Sequence, residues 1–344
     1  MVALPPRMLF SQRMTAFLRR HACQALNVLR ALPRPARVQP LRTSVVSALL
    51  LSVLPSACFA AALPGTSPST AKIANAAARQ ISADQLPTDQ TLNRQTLTGQ
   101  IQAEHALTGQ RATYDLSLAE SGGNTLSATG SMTYVVRDTC SAWSTQQHLD
   151  IQSATRNGGA VTMVSDYSTL ESKDGRHLIF RTVQKSNNTV LQTVSGEASV
   201  DAHGHGVVQY EKPIKKTLKL PPGTLFPMMH TAAILAAAQQ GAPNIAPLLF
   251  DGTGADGAQE TYITLLGWGP QKDPAPFPAL ASQPAGRVHV AFFSRTPDSI
   301  LPDYEIGMRY FANGVSDKLD MDFGDFRMHG SLHNLALPPP PAHC

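Results

Sequence analysis

The sequence predicts an all-β fold: a single domain of many antiparallel strands with one internal helix at about residues 226–240. Three observations carry that prediction. From Arg111 onward apolar residues recur at alternate positions, the period that sends successive side chains to opposite faces of a strand. Short Gly-, Asn- and Asp-rich segments cut these runs at brief intervals, as tight turns require. A single long segment breaks the rhythm, and it carries the punctuation of a helix.

In chain order, Tyr114, Leu116 and Leu118 make the first alternating set and Met132, Tyr134 and Val136 the second, with Ser121-Gly122-Gly123-Asn124 as the turn between them. Further strands are expected at 148–154, 161–170, 177–184, 190–200, 207–210 and 217–220. Their turns fall at Asn157-Gly158-Gly159, Lys173-Asp174-Gly175, Asn187-Asn188 and 202–206. After the helix, strands are expected at 260–268, 287–295, 304–312, 316–323 and 326–335, about a dozen in all. The helix opens at Phe226-Pro227, with Pro in the first turn, and closes on Gly241. Its apolar residues surround most of the cylinder, so it is expected within or against the sheet. Residues 106–344 suffice to bury a sizeable core, and the unbroken hairpin rhythm argues for one domain of mostly antiparallel pairs.

The N-terminal third is different. Eight arginines, Arg7 to Arg42, lie in the first 42 residues, and the first acidic residue is Asp84. An apolar run from Ser44 to Leu54 follows, then Pro55 and Ser56-Ala57-Cys58-Phe59-Ala60-Ala61-Ala62. That is the n-region, h-region and cleavage-site order of a secretory signal, and the apolar run is shorter than the ~20 residues that span a bilayer. The expected organisation is a leader at 1–62, a segment rich in Ala, Ser, Thr, Gln and Pro at 63 to about 105 that reads as a mobile linker or weak helix, and the β domain at 106–344. Localisation is expected in the periplasm of a Gram-negative cell. Ser56-Ala57-Cys58 also resembles the end of a lipobox, with a lipid anchor at Cys58 as the lesser alternative. Arg19-Arg20 sits too far upstream for a twin-arginine signal. Cutting after the leader changes 28 basic against 24 acidic residues to 20 against 24, so formal charge falls from +4 to −4. The mature chain then lacks the excess basic charge that nucleic-acid binding uses, and no transmembrane span is expected in it.

Of four cysteines, Cys23 and Cys58 fall in the leader, which leaves Cys140 and Cys344. In an oxidising compartment two lone thiols are most simply a disulfide. A redox-active pair is disfavoured because no Cys-x-x-Cys spacing is present, and two cysteines so far apart make no stronger case for a metal.

Local motifs give no catalytic residue, no cofactor site and no metal site. His203 and His205 share one side of a turn without a third ligand. His329 and His333 lie on one strand face and are expected in water. His230 could polarise a ligand, but a packed ring is preferred. Asp320, Asp322 and Asp325 alternate with apolar residues as a solvated strand face does, and the calcium-like segment 251–257 lacks its closing Glu.

Several segments together resemble the EipB family of cell-envelope integrity proteins, over about residues 105–344. They are Tyr114-Asp115-Leu116-Ser117-Leu118, Gly130-x-Met132-x-Tyr134 and Asp166-Tyr167-Ser168-Thr169-Leu170-Glu171 with Gly175 after it. Pro222-Gly223-Thr224-Leu225-Phe226-Pro227-x-x-His230 and Leu249-Phe250-Asp251-Gly252 complete the set. The Phe-Pro-x-x-His and Phe-Asp-Gly pieces are the most specific. The resemblance implies a spiral-like, incompletely closed β-barrel around the helix, and a disulfide that maps onto Cys140 and Cys344. It implies maintenance of the envelope with no established chemistry. The long segment before residue 105 and the Pro-rich insertion around 270–284 depart from the pattern.

Two classes of function follow as expectations. The favoured one is a non-enzymatic protein that binds a partner in the periplasm, such as a helical-repeat protein, through free sheet edges and rim loops. The alternative is a carrier of a lipid or other hydrophobic ligand, with Phe226, Met229 and His230 at the mouth of the helix as candidate ligand residues.

Overall fold

The computed structural model describes residues 103–294 and 301–344. The leader, its cleavage site, Cys58 and the linker up to residue 102 lie outside the described residues, as does Arg295.

Eight strands run as consecutive hairpins: β1 (Gln110–Ser121), β2 (Thr125–Asp138), β3 (Ala142–Thr155), β4 (Ala160–Ser172), β5 (His177–Ser186), β6 (Thr189–Val200), β7 (Gly206–Lys212) and β8 (Lys216–Leu220). The chain then forms β9 (Thr224–Leu225), the helix α1 (Pro227–Gln239), β10 (Asn244–Ile245) and β11 (Leu248–Leu249). It returns through β12 (Gln259–Gly269), β13 (Ala285–Phe293), β14 (Tyr304–Phe311), β15 (Ser316–Asp322) and β16 (Phe326–Ala336). The expected turns hold because their residues tolerate a left-handed backbone: Gly123, Gly158, Asn187, Asn188 and Gly204 all have positive φ.

All sixteen strands belong to one sheet. β1 pairs antiparallel with β16, Arg111 opposite Ala336 and Ser121 opposite Phe326, so the first and last strands join the two runs of hairpins. The β9–β11 pair is parallel and the other ladders are antiparallel. The path from β8 to β9 curls into a nearly closed barrel with one seam, where these two strands are the ends. Lys215, Lys216 and Lys219 stand exposed at the β8 end, a usual guard against edge-to-edge pairing.

The helix occupies the interior. Every residue from Pro227 to Ala238 is buried, and its five alanines at 232, 233, 236, 237 and 238 let strands approach it closely. One apolar cluster joins α1 to β1–β4 and β12–β16 through Tyr114, Met132, Trp143, Leu149, Ile234, Val290 and Met308. A second, built from Leu178, Phe180, Val194, Val208 and Tyr210 of β5–β7, closes over Phe226 and Phe250.

The Pro-rich insertion is fastened rather than loose. Arg309, 6% exposed, holds Asp317 through Nε at 2.8 Å and through Nη2, while its Nη1 and Nη2 donate to the carbonyls of Asp273 and Pro274 at 3.2 Å each. A short 3-10 turn, Pro278–Leu280, drops Leu280 into a third cluster with Phe311 and Val315.

Three expectations need correction in detail. β1–β8, β12 and β16 are longer than the runs expected for them, β14 and β15 each end one residue sooner, β13 starts two residues earlier, and β9, β10 and β11 are two-residue strands that no periodicity marks. Residues 103–105, assigned to the linker, belong to a helical turn at 103–106. Ala103 is 1% and Glu104 4% exposed, and Glu104 Oε1 accepts the Trp143 indole N–H at 2.6 Å, so the last of that segment is packed into the domain.

Candidate functional site

The centre of the barrel is the seat of α1. Its N-cap residue, Phe226, offers no side-chain acceptor, and the first N–H groups of a helix need one. Glu171, inward-facing on β4 and 0% exposed, supplies it from 57 residues away: Oε2 accepts the Met228 N–H at 2.7 Å and Oε1 the Met229 N–H at 2.9 Å. Burial pushes the Glu171 carboxyl up to about 8, against the pull of these two bonds. Met229 in turn rests on the β4–β5 turn, where Gly175 has φ +68 and a Cβ would meet the Met229 side chain.

Phe226 packs edge-on to Phe250, centroids 6.3 Å apart, and Phe250 meets Phe180 at 5.2 Å. Asp251 is buried and saturated: Oδ1 accepts the Thr253 N–H at 2.9 Å and its hydroxyl at 2.7 Å, and Oδ2 accepts the Gln259 amide at 3.1 Å. Gly252 has φ +72 and lies so close under the Phe180 ring that a Cβ would overlap it. The segment read as calcium-like is therefore a turn that locks itself.

His230 is 0% exposed. Its Nε2 lies 3.1 Å from Thr261 Oγ1, whose own proton goes to the Pro247 carbonyl. The ring proton is thereby placed on Nε2, and Nδ1 is buried without a hydrogen-bond partner among the described residues. Burial pulls this imidazole down to about 3, so it stays neutral through the physiological range. Inside, Tyr134, Gln147, Tyr167 and Thr182 form a cross-strand row. Tyr167 donates to the Asp251 carbonyl at 3.0 Å, and burial raises both tyrosine hydroxyls above their usual range. The hydroxyls of this row are neutral at physiological pH, and the Thr261 hydroxyl beside His230 has its proton committed to the Pro247 carbonyl.

Phe226, Met229 and His230, expected at a mouth, are instead packed inside at 0%, 9% and 0% exposure. A pocket of about 290 Å³ lies instead at the other end of the helix, lined by Ala238, Ala242, Pro243, Leu265, Trp268 and Val288 among others. Cys140 and Cys344 are bonded, with Cα atoms 5.4 Å apart. Cys140 sits at φ +70 in the β2–β3 turn, and Asp138 Oδ1 accepts its N–H at 2.8 Å. Lys173 pairs with Asp138 at 2.8 Å and lies 4.7 Å over the Trp143 ring, so the C-terminus is tied to a braced turn.

The remaining histidines among the described residues are surface groups. His205 contacts Asp201 at 3.2 Å, His333 contacts Asp115 at 3.0 Å and His329 lies 3.8 Å from Asp320. Arg327 engages Asp320 and Asp322. No group of three or more His, Cys, Asp or Glu side chains that could hold a metal occurs among the described residues. No helix among them is long and apolar enough to cross a membrane.

Comparison with known proteins agrees with this architecture. The EipB-like family model matches residues 101–339. The cell envelope integrity protein EipB of Brucella abortus (strain 2308) is 27% identical over 242 residues, which cover 67% of this chain and 84% of that protein. A crystal structure of a β-barrel-like protein of a domain of unknown function, also from Brucella abortus, superposes with a TM-score of 0.63 at 25% identity, covering 68% of this chain and 99% of that one. Neither is named as an enzyme. The Phe226-Pro227-x-x-His230 and Phe250-Asp251-Gly252 segments, read as the most specific part of the resemblance, are the residues that seat the helix. With the family model matched across the whole barrel, the chain belongs to the EipB-like family.

Proposed function

We propose that this chain is a non-enzymatic periplasmic protein that supports cell-envelope integrity by binding another protein. The observation that carries the reading is the buried helix: from Pro227 to Ala238 the chain's own residues fill the space where a carrier would hold cargo. Its two buried carboxylates at the helix seat are spent within the fold, Glu171 on two helix N–H donors and Asp251 on its own turn. The name of the Brucella abortus relative supports the envelope role. The test is deletion of the gene and complementation. Loss of the protein should sensitise cells to detergent, and the Cys140→Ser/Cys344→Ser chain should restore resistance poorly. Unchanged detergent resistance after deletion would contradict the envelope role.

A second reading, carriage of a hydrophobic ligand, draws on the pocket at the C-terminal end of α1 with its Ala238, Leu265, Trp268 and Val288 lining. Co-purification of lipid with the native protein, lost when Trp268 is replaced by Asp, would favour it.

A further inference from the structure

The outer face of β1–β5 carries a groove of about 320 Å³; apart from Gln147 and Tyr167 of the inward-facing row between them, its residues fall in two neighbouring outward-facing cross-strand rows. One row reads Arg111, Val135, Gln146, Ser168, Arg181; the other Thr133, His148, Asp166, Val183. Val135, although outward-facing, is 8% exposed, walled in by longer neighbours. Arg111 and Arg181 are exposed and stand at opposite ends of their row, four strand steps apart, which is about 19 Å at the usual strand spacing. Neither has an ion pair or side-chain hydrogen bond among the described residues. The groove's one acid, Asp166, is already engaged by His148 at 2.7 Å and Lys185 at 3.9 Å. One row beyond, Leu170 and Ile179 face each other across β4 and β5 at 42% and 51% exposure.

We infer that this face docks an acidic, partly apolar segment of a partner protein. The strands beneath are hydrogen-bonded on both sides, so recognition falls to side chains rather than to strand addition. Arginine forks suit carboxylates, and two of them so far apart call for two anionic groups about six extended residues from each other. The exposed Leu170–Ile179 pair supplies an apolar contact beside the charges, which a free anion would not use. The inference rests on the protein-binding reading above and specifies its surface.

The test measures fluorescence anisotropy of a labelled, Glu-rich peptide with interspersed Leu, against the same peptide with Gln for every Glu, inorganic phosphate as competitor, and phosphatidylglycerol vesicles. The Arg111→Ala/Arg181→Ala protein should bind the acidic peptide at least about tenfold more weakly than wild type, and Leu170→Ser/Ile179→Ser severalfold more weakly. Lys215→Ala/Lys219→Ala, which removes the same charge from the β8 end, should change binding less than about twofold. Equal losses in the arginine and lysine proteins, wild-type binding of the Gln peptide, or arginine-dependent binding of vesicles but not peptide would each overturn the proposal. Affinity purification of wild type and the arginine variant side by side separates the two levels of the account. The same partner recovered with both sinks the surface and leaves the protein-binding reading intact, while no partner with either sinks both.

Discussion

Glu171 and His230 are opposite cases of one buried environment. The Glu171 carboxyl is raised to about 8 in the fold, from an ordinary value of about 4.3 in an unfolded chain. Its contribution to stability is therefore full below that lower value and is lost as pH rises toward 8. His230 is lowered to about 3, so its contribution is full above about 6.5 and is lost as pH falls below that. Urea unfolding of Glu171→Gln should accordingly show less loss of stability than wild type between pH 5 and 8, and His230→Gln less loss between pH 6.5 and 4. Parallel curves for variant and wild type would contradict the assignment. Removing the acceptor altogether, as Glu171→Ala, leaves two helix N–H groups unsatisfied in the interior, at a cost of about 1–3 kcal/mol each. Gly252→Ala combines a left-handed φ with overlap onto the Phe180 ring and should cost more than the about 1 kcal/mol of an unobstructed left-handed site. Little of this could be read from sequence. The 57-residue separation of Glu171 from its N–H partners leaves no local spacing to notice, and only the grouping of Asp166–Glu171 with Gly175 as a family segment pointed to the place.

At the scale of elements, the helix was legible because Pro227 and Gly241 punctuate it and no polar stripe runs along it; the structure places it at Pro227–Gln239, within a residue of the expected bounds. Five of the seven hairpin turns of β1–β8 were legible for a similar reason: they require positive φ, and Gly123, Gly158, Gly175, Asn187-Asn188 and Gly204 betray it, whereas the β2–β3 turn takes its positive φ at Cys140 and the β7–β8 turn has none. β9, β10 and β11 were not, since two residues carry no period and their pairing comes from tertiary packing around Phe250. The helix is fastened to β5–β7 through Phe226 and Phe250. Phe250→Ala should therefore destabilise by about 3–5 kcal/mol, and should raise hydrogen exchange first in α1 and β5–β7. Exchange rising uniformly across the sheet would show that the helix is not separately anchored by that cluster.

Across the whole molecule, β1–β16 pairing and the Cys140–Cys344 bond close the chain twice, once through the sheet and once through the tail. The bond spans 204 residues, and the chain-entropy model gives such a closure about 5 kcal/mol. Reduction, or Cys140→Ser with Cys344→Ser, should lower the melting temperature markedly without moving β-sheet content in far-UV circular dichroism; an unchanged melting temperature would contradict that closure. The cysteine pair was legible by count, the barrel closure only by family resemblance, since which strand meets which over more than 200 residues leaves no local mark. The proposed function has the chain fill its own barrel and bind protein on its outside. Native mass spectrometry of the chain isolated gently from periplasm tests this most directly. The expected spectrum shows the mass of the bare polypeptide, free of lipid, together with a complex containing a second polypeptide. A lipid adduct on the chain and no second polypeptide would contradict it.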